Sequence, residues 1–271
     1  MGSGKANTNL KVLLSSGKDV VLRFYDRDAS ACAKEAALAT RLWGTVPIAR
    51  PIWSDPGSAV SLWEWVPGEV LEDCPERIPD VASDLGRVLA TIGETRFDRA
   101  GFLDGDLAIS YAFDDACGAY VGRMRECLGT ELARTRIGSE LAGRTDRFIE
   151  ERQALLDPYR GFRSLVHSDY KASNLLVEGS RLAAVLDWEF AHSGSPLLDI
   201  SILLRHRHEW SERAMGDFAR GFRDGGGYLD ARWLEASSYL DLVSLLDFLV
   251  RPGLGPRAAT DIADLIARTV S

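Results

Sequence analysis

Apolar positions alternate in the first part of the chain and recur at helical spacing in most of the rest. Residues 10–14 and 19–25 are β-rich runs separated by SSGK, which predicts a hairpin. From 29 to 43 the stripe Ala31, Glu35, Leu38, Leu42 falls at helical spacing and puts a carboxylate on an otherwise apolar face. Such a group needs a partner, and Arg23, set between Val21 and Tyr25 in the preceding strand, projects a cation from a sheet face able to meet that helix. A structural ion pair accounts for these two residues as well as a ligand site does. Apolar segments at 48–53 and 59–66 follow, the second ending in WEWVPGE, where Pro67 and Gly68 set a boundary. Beyond it, periodic apolar residues at 81–92, 148–156, 234–249 and 259–270 predict helices, with 162–188 as the main interruption. The pattern predicts an α+β chain with a small β-rich lobe at residues 1–67 and a larger, mainly helical lobe at 68–271.

The interruption carries the chemistry. SLV leads into HSDYKASN at positions 167–174, and NLLV and LAAVLDW are short strands joined by EGSR, a plausible hairpin turn. Asn174 begins the first strand and Asp187 ends the second, so an antiparallel pairing sets them side by side at the open end. That oxygen-rich pair suits Mg²⁺, which is held by one or two carboxylates together with phosphate oxygens and water. Asp169 lies just upstream, able to accept or orient a hydroxyl proton, and Lys171 supplies positive charge to a transferring group. Phosphoryl transfer is the chemistry these groups suggest.

Composition excludes other classes. The chain has 271 residues, 46% hydrophobic and 27% charged, enough for one large domain or two modest ones. No apolar run approaches the roughly 20 residues of a membrane span. A net charge of -8 argues against a general nucleic-acid or anionic-membrane binder. Cys32, Cys74, Cys117 and Cys127 show neither C-x-x-C spacing nor the density of a disulfide scaffold, which points to reduced thiols and a cytoplasmic protein. The opening MGSGKA lacks an apolar leader and has Ala6 where a myristoylation signal has Ser or Thr, and its GSGK lacks the spacing of a P-loop.

His167, Asp169 and Asn174 fit the kinase catalytic loop H-x-D-x-x-x-x-N, with Asp187 at the following metal position. More closely, LVHSDYKASNLLV and VLDWEFAHSGSPLLDIS resemble the aminoglycoside phosphotransferase and choline kinase superfamily. That resemblance implies a protein-kinase-like fold, ATP as co-substrate with GTP as the alternative, and Mg²⁺. It implies Asp169 as catalytic base, Asn174 and Asp187 as metal ligands, and Asp199 as a brace for the catalytic loop. NTNLKV is similar to the nucleotide-covering hairpin, Arg23 to the nucleotide-contacting cation, Glu35 to its helix partner, and Glu64, Trp65 and Val66 to the hinge that holds adenine. The chain departs from the pattern in three places. Arg23 stands where Lys is usual, Lys171 where a second His is common, and the short N-terminus leaves little room for the strand expected before the hairpin.

The residues alone leave several readings open. His167 braces the loop or takes part in proton transfer, the former being favoured. His206 and His208 are weak metal candidates and read as a solvated surface. Trp43, Trp53, Trp63 and Trp233 read as packing residues. Asp104, Asp106, Asp114 and Asp115 form either a solvated acidic loop, which is favoured, or a site for a cationic amine. The expected partner is a small-molecule hydroxyl compound, an aminoglycoside or other antibiotic, with choline, an amino-alcohol or a sugar as alternatives; the chain is a monomer or homodimer. Competing readings are a protein kinase, which lacks an A-P-E equivalent here, a catalytically silent nucleotide-binding module, and a metal-dependent hydrolase.

Overall fold

The computed structural model describes residues 7–271, and the readings placed on the first six residues lie outside it. β1 (Thr8–Leu13) and β2 (Asp19–Phe24) form the expected hairpin, with Leu13 opposite Asp19. β3 (Pro51–Asp55) and β4 (Val60–Glu64) complete a four-stranded antiparallel sheet of order β1-β2-β4-β3. α1 (Ser30–Leu42) covers it, burying Ala31, Glu35, Leu38 and Leu42, the stripe read from the sequence. Trp63 and Trp233 are buried as expected, whereas Trp43 and Trp53 are 50% and 51% exposed. Trp53 lies on an edge strand and Trp43 follows the last turn of α1, where the chain turns away from the core. Residue type had suggested packing; position decides otherwise.

After Pro67 and Gly68 the chain enters the larger helical part. β5 (Glu69–Val70) pairs with β9 (Leu175–Glu178), which pairs in turn with β10 (Arg181–Val185). α2 (Ile78–Glu94) is followed by a hairpin of β6 (Gly101–Leu103) and β7 (Ile109–Ala112). A Cβ at Gly101 would stand 2.2 Å from the Tyr111 carbonyl oxygen, so only glycine lets these strands close. α3 (Ala116–Gly129), α4 (Glu131–Ile137) and α5 (Ser139–Arg152) follow. The helix predicted at 148–156 ends at Arg152, and residues Gln153–Tyr159 continue as a tighter 3₁₀ turn containing Pro158. β8 (Ser164–Val166) and β11 (His192–Gly194) extend the β6–β7 hairpin into a second four-stranded sheet. α6 (Leu197–Leu203), α7 (Glu212–Asp224), α8 (Trp233–Leu249) and α9 (Pro256–Thr269) complete the helical part. The α+β class holds, with a small antiparallel sheet region and a larger helical one. Among the described residues no helix is long and apolar enough to cross a membrane.

Candidate active site

The catalytic loop leaves β8 and is held from below. Ser168 has φ of 67°, a left-handed conformation that a non-glycine residue adopts only when its surroundings enforce it. The enforcing group is Asp199 in the first turn of α6, fully buried, whose two carboxylate oxygens accept the His167 and Ser168 backbone N–H groups at 2.7 Å each. Burial pushes the Asp199 carboxyl up to about 7 against the pull of those two donors. His167 is buried as well; its Nε2–H donates to the Leu186 carbonyl at 2.9 Å and its Nδ1 accepts the Asp169 backbone N–H at 3.1 Å. Burial lowers its pKa, so the ring is neutral and both nitrogens are engaged within the loop.

The β9–β10 hairpin brings the predicted oxygen donors together. Val185 pairs with Leu175, and one step outward the Leu186 N–H donates to the Asn174 carbonyl at 2.8 Å, so Asn174 and Asp187 flank the open end. Asp187 follows with φ of 66°, and Trp188 anchors this turn through an indole N–H to the Val185 carbonyl at 3.0 Å. The Asn174 amide donates to the Asp169 carboxylate at 2.8 Å and to its backbone carbonyl at 2.9 Å. Lys171 Nζ pairs with the same carboxylate at 2.9 Å. Asp169, Lys171, Asn174 and Asp187 all line one cleft of about 1060 Å³. Among the described residues no three His, Cys, Asp or Glu side chains gather as a metal cage. One carboxylate beside one amide carbonyl is nevertheless a donor set that Mg²⁺ uses when phosphate oxygens complete its shell.

Arg23 joins this site to the small sheet. A single guanidinium nitrogen lies 3.1 Å from Glu35 and 2.5 Å from Asp187, and Glu35 also accepts the Tyr25 hydroxyl at 2.6 Å. Burial works against the Arg23 charge, but Glu35 and Asp187 outweigh it and its pKa is raised. The strand-to-helix ion pair is therefore present and reaches the Asp187 carboxylate as well. The walls of the cleft, among the described residues, do not include Glu64, Trp65 or Val66. Those three lie where β4 leaves the sheet, with Trp65 partly exposed and the Lys11 ammonium 4.0 Å from its ring centre.

Several residues of the cleft went unread in the sequence. His192 is buried between Tyr120 on α3, whose hydroxyl lies 2.8 Å from Nε2, and Ser168 of the catalytic loop, whose hydroxyl lies 2.6 Å from Nδ1. Burial drives its pKa down to about 4, so a neutral ring links the two hydroxyls. Its only sequence signal was a histidine among the small residues of AHSGS at 191–195. Glu189 is buried against Arg27 at 3.1 Å. None of Asp104, Asp106, Asp114 or Asp115 lines the cleft. Asp104 closes the β6–β7 turn by accepting the Asp106 and Ala108 N–H groups, and Asp115 caps α3 and pairs with Arg160 at 2.5 Å. His206 and His208 are exposed, His208 within the short 3₁₀ turn Arg207–Glu209 and His206 just before it.

A model of the phosphotransferase enzyme family matches residues 1–234, most of the 271-residue chain, and the protein belongs to that family. Its structure is similar to a thermostable mutant of aminoglycoside phosphotransferase APH(4)-Ia in ternary complex with ADP and hygromycin B. The TM-score is 0.71 at 19% identity, covering 99% of this chain and 92% of that one. It is likewise similar to the apoenzyme of macrolide 2'-phosphotransferase MphH from Brachybacterium faecium, with a TM-score of 0.71 at 19% identity over 97% and 89% of the two chains. A choline/ethanolamine kinase family protein from Mesorhizobium loti gives 0.66 at 17% identity over 99% and 88%. No curated protein matches the sequence. At such identities the likeness establishes the fold.

Proposed function

We propose that the protein transfers the γ-phosphate of ATP to a hydroxyl of a small molecule, with Mg²⁺ as the required ion. The observation that carries this reading is the convergence of Asp169, Asn174 and Asp187 on one cleft. The acceptor oxygen bonds to the γ-phosphorus while the bond from that phosphorus to the bridging oxygen of ADP breaks, and the hydroxyl proton passes to the Asp169 carboxylate. Asn174 fixes that carboxylate through its amide N–H and keeps its carbonyl oxygen for the metal. Lys171, paired with Asp169 at 2.9 Å, turns its ammonium to the transferring group when the acceptor arrives. Asn174 and Asp187 would hold Mg²⁺, which would neutralise charge on the phosphates. Arg23 serves phosphate and Glu35 together, and the backbone of Glu64, Trp65 and Val66 takes adenine. In this reading residues 1–67 form the nucleotide lobe and hinge, and 68–271 the catalytic and acceptor lobe. All four cysteines are free and buried, which suits a reducing, ATP-rich cytoplasm.

The competing reading, a catalytically silent module, draws on the Arg23–Asp187 ion pair, which engages the metal-position carboxylate. ADP release measured across aminoglycosides, macrolides, choline and amino sugars, with the wild type and Asp169→Ala, separates the two. Acceptor-dependent release that Asp169→Ala abolishes, while the variant still binds Mg²⁺ and AMP-PNP, supports transfer. Equal release by both proteins removes Asp169 from its role, and nucleotide binding without release supports the silent module.

A further inference from the structure

We infer that the acceptor side of the cleft takes a hydroxyl compound with a broad apolar face and at most one positive charge, and not a polycation. This rests on the phosphotransfer reading and concerns only which acceptor that site selects.

The first observation is an exposed aromatic wall. Phe102 and Tyr111 stand opposite each other in the β6–β7 register and are 54% and 65% exposed, although each lines the cleft. Phe113 meets them with ring centres 5.0 Å and 5.9 Å away, and Phe190, also partly exposed, faces the same space. Large apolar side chains left in contact with water around a concave site mark ligand contact, since they are stabilised only when something covers them. The second observation is the state of the carboxylates. Apart from Asp169 and Asp187, which the phosphotransfer reading gives to the acceptor proton and the metal, Glu189 is paired with Arg27, and Asp247 with both Arg123 and Arg251, the former also holding Glu126. Among the described residues only Glu72 lines the cleft as a carboxylate with no ion pair. A polycation would have to displace several of these pairs and would then meet the released arginines, whereas one ammonium can be met at Glu72. The cleft, about 1060 Å³ including the Asn174 and Asp187 end given to the metal and phosphates, leaves room beside them for an acceptor larger than an amino-alcohol.

The test is calorimetric binding in the presence of Mg²⁺ and AMP-PNP, followed by ADP release with Mg²⁺ and ATP. Erythromycin serves as the apolar, monocationic probe, hygromycin B and kanamycin as polycations, and choline as a small cation. The expected result is binding and turnover of erythromycin alone. The double variant Phe102→Ala/Tyr111→Ala should weaken that binding by at least about tenfold, ~1.4 kcal/mol, with AMP-PNP affinity kept. Because both rings are exposed, the variant should retain its melting temperature, and Phe102→Leu/Tyr111→Leu should restore part of the affinity. Preference for either polycation or for choline, no binding of erythromycin, or unchanged affinity in the alanine variant overturns the inference. Transfer confined to hygromycin B would leave the phosphotransfer reading standing; a wild type that binds no nucleotide would sink that reading instead.

Discussion

Replacing Asp199 with alanine removes the carboxylate beneath the catalytic loop and leaves the His167 and Ser168 N–H groups buried without their acceptors. An unsatisfied buried donor costs about 1–3 kcal/mol, so the pair costs roughly 2–6 kcal/mol. Part of this is offset, because burial disfavours the Asp199 charge and pushes its pKa up to about 7. A net loss of about 2–4 kcal/mol corresponds to a fall in Tm of roughly 4–8 °C for a chain of this size. The sign of the pH dependence follows from a native pKa raised above the unfolded one. The native state then binds the extra proton, so the stability supplied by Asp199 is full at low pH and declines as pH rises through about 7. The gap between wild type and variant should therefore widen by about 2 kcal/mol on going from pH 8 to pH 5.5, at ~1.4 kcal/mol per unit. Calorimetric melting at the two pH values measures both quantities. A Tm within about 2 °C of wild type, or a gap that narrows on acidification, would refute the reasoning.

His192→Phe should lower stability at pH 7.5 by about 1–3 kcal/mol, since the buried Tyr120 hydroxyl loses its partner. His192 has a depressed native pKa of about 4, so its contribution is present above the unfolded value and lost as pH falls toward 4. The variant should thus lose less stability than wild type between pH 7 and 4.5 in denaturant titrations, and an equal loss would contradict the buried neutral ring. Arg23→Met should destabilise by about 3–5 kcal/mol because Glu35 is left buried without its cation. Arg23→Lys should recover only part of that in urea unfolding, since one nitrogen can still meet both Glu35 and Asp187 but the compact, strongly hydrated ammonium costs more to bury than a guanidinium; full recovery would show that charge alone suffices.

What could be read from the sequence was what a short stretch of chain fixes by itself. Asn174 and Asp187 meet because the β9–β10 hairpin folds on a local turn, and Asp169 is five residues from Asn174. The Arg23–Glu35 pair was legible for the same reason, being twelve residues apart across one strand-to-helix connection. His192, Tyr120 and Phe102 come from separate segments and meet only through the pairing of β11 with β6 and the packing of α3, which no spacing announces. The interior glycines of α3 and α7, at Gly118, Gly122, Gly216 and Gly221, weakened the helical signal of both. Asp104 and Asp115 show the converse: a cluster of acidic residues was visible, but turn closure and helix capping explain it.

The central claim is that Asp187 holds a magnesium–nucleotide complex in the cleft beside Asp169. Calorimetric titration of AMP-PNP into the wild type and Asp187→Asn, each with and without Mg²⁺, tests it without knowledge of the acceptor. Tighter binding with Mg²⁺ in the wild type, and little or no Mg²⁺ dependence in the variant, is the predicted outcome. Identical Mg²⁺ dependence in both proteins would contradict it.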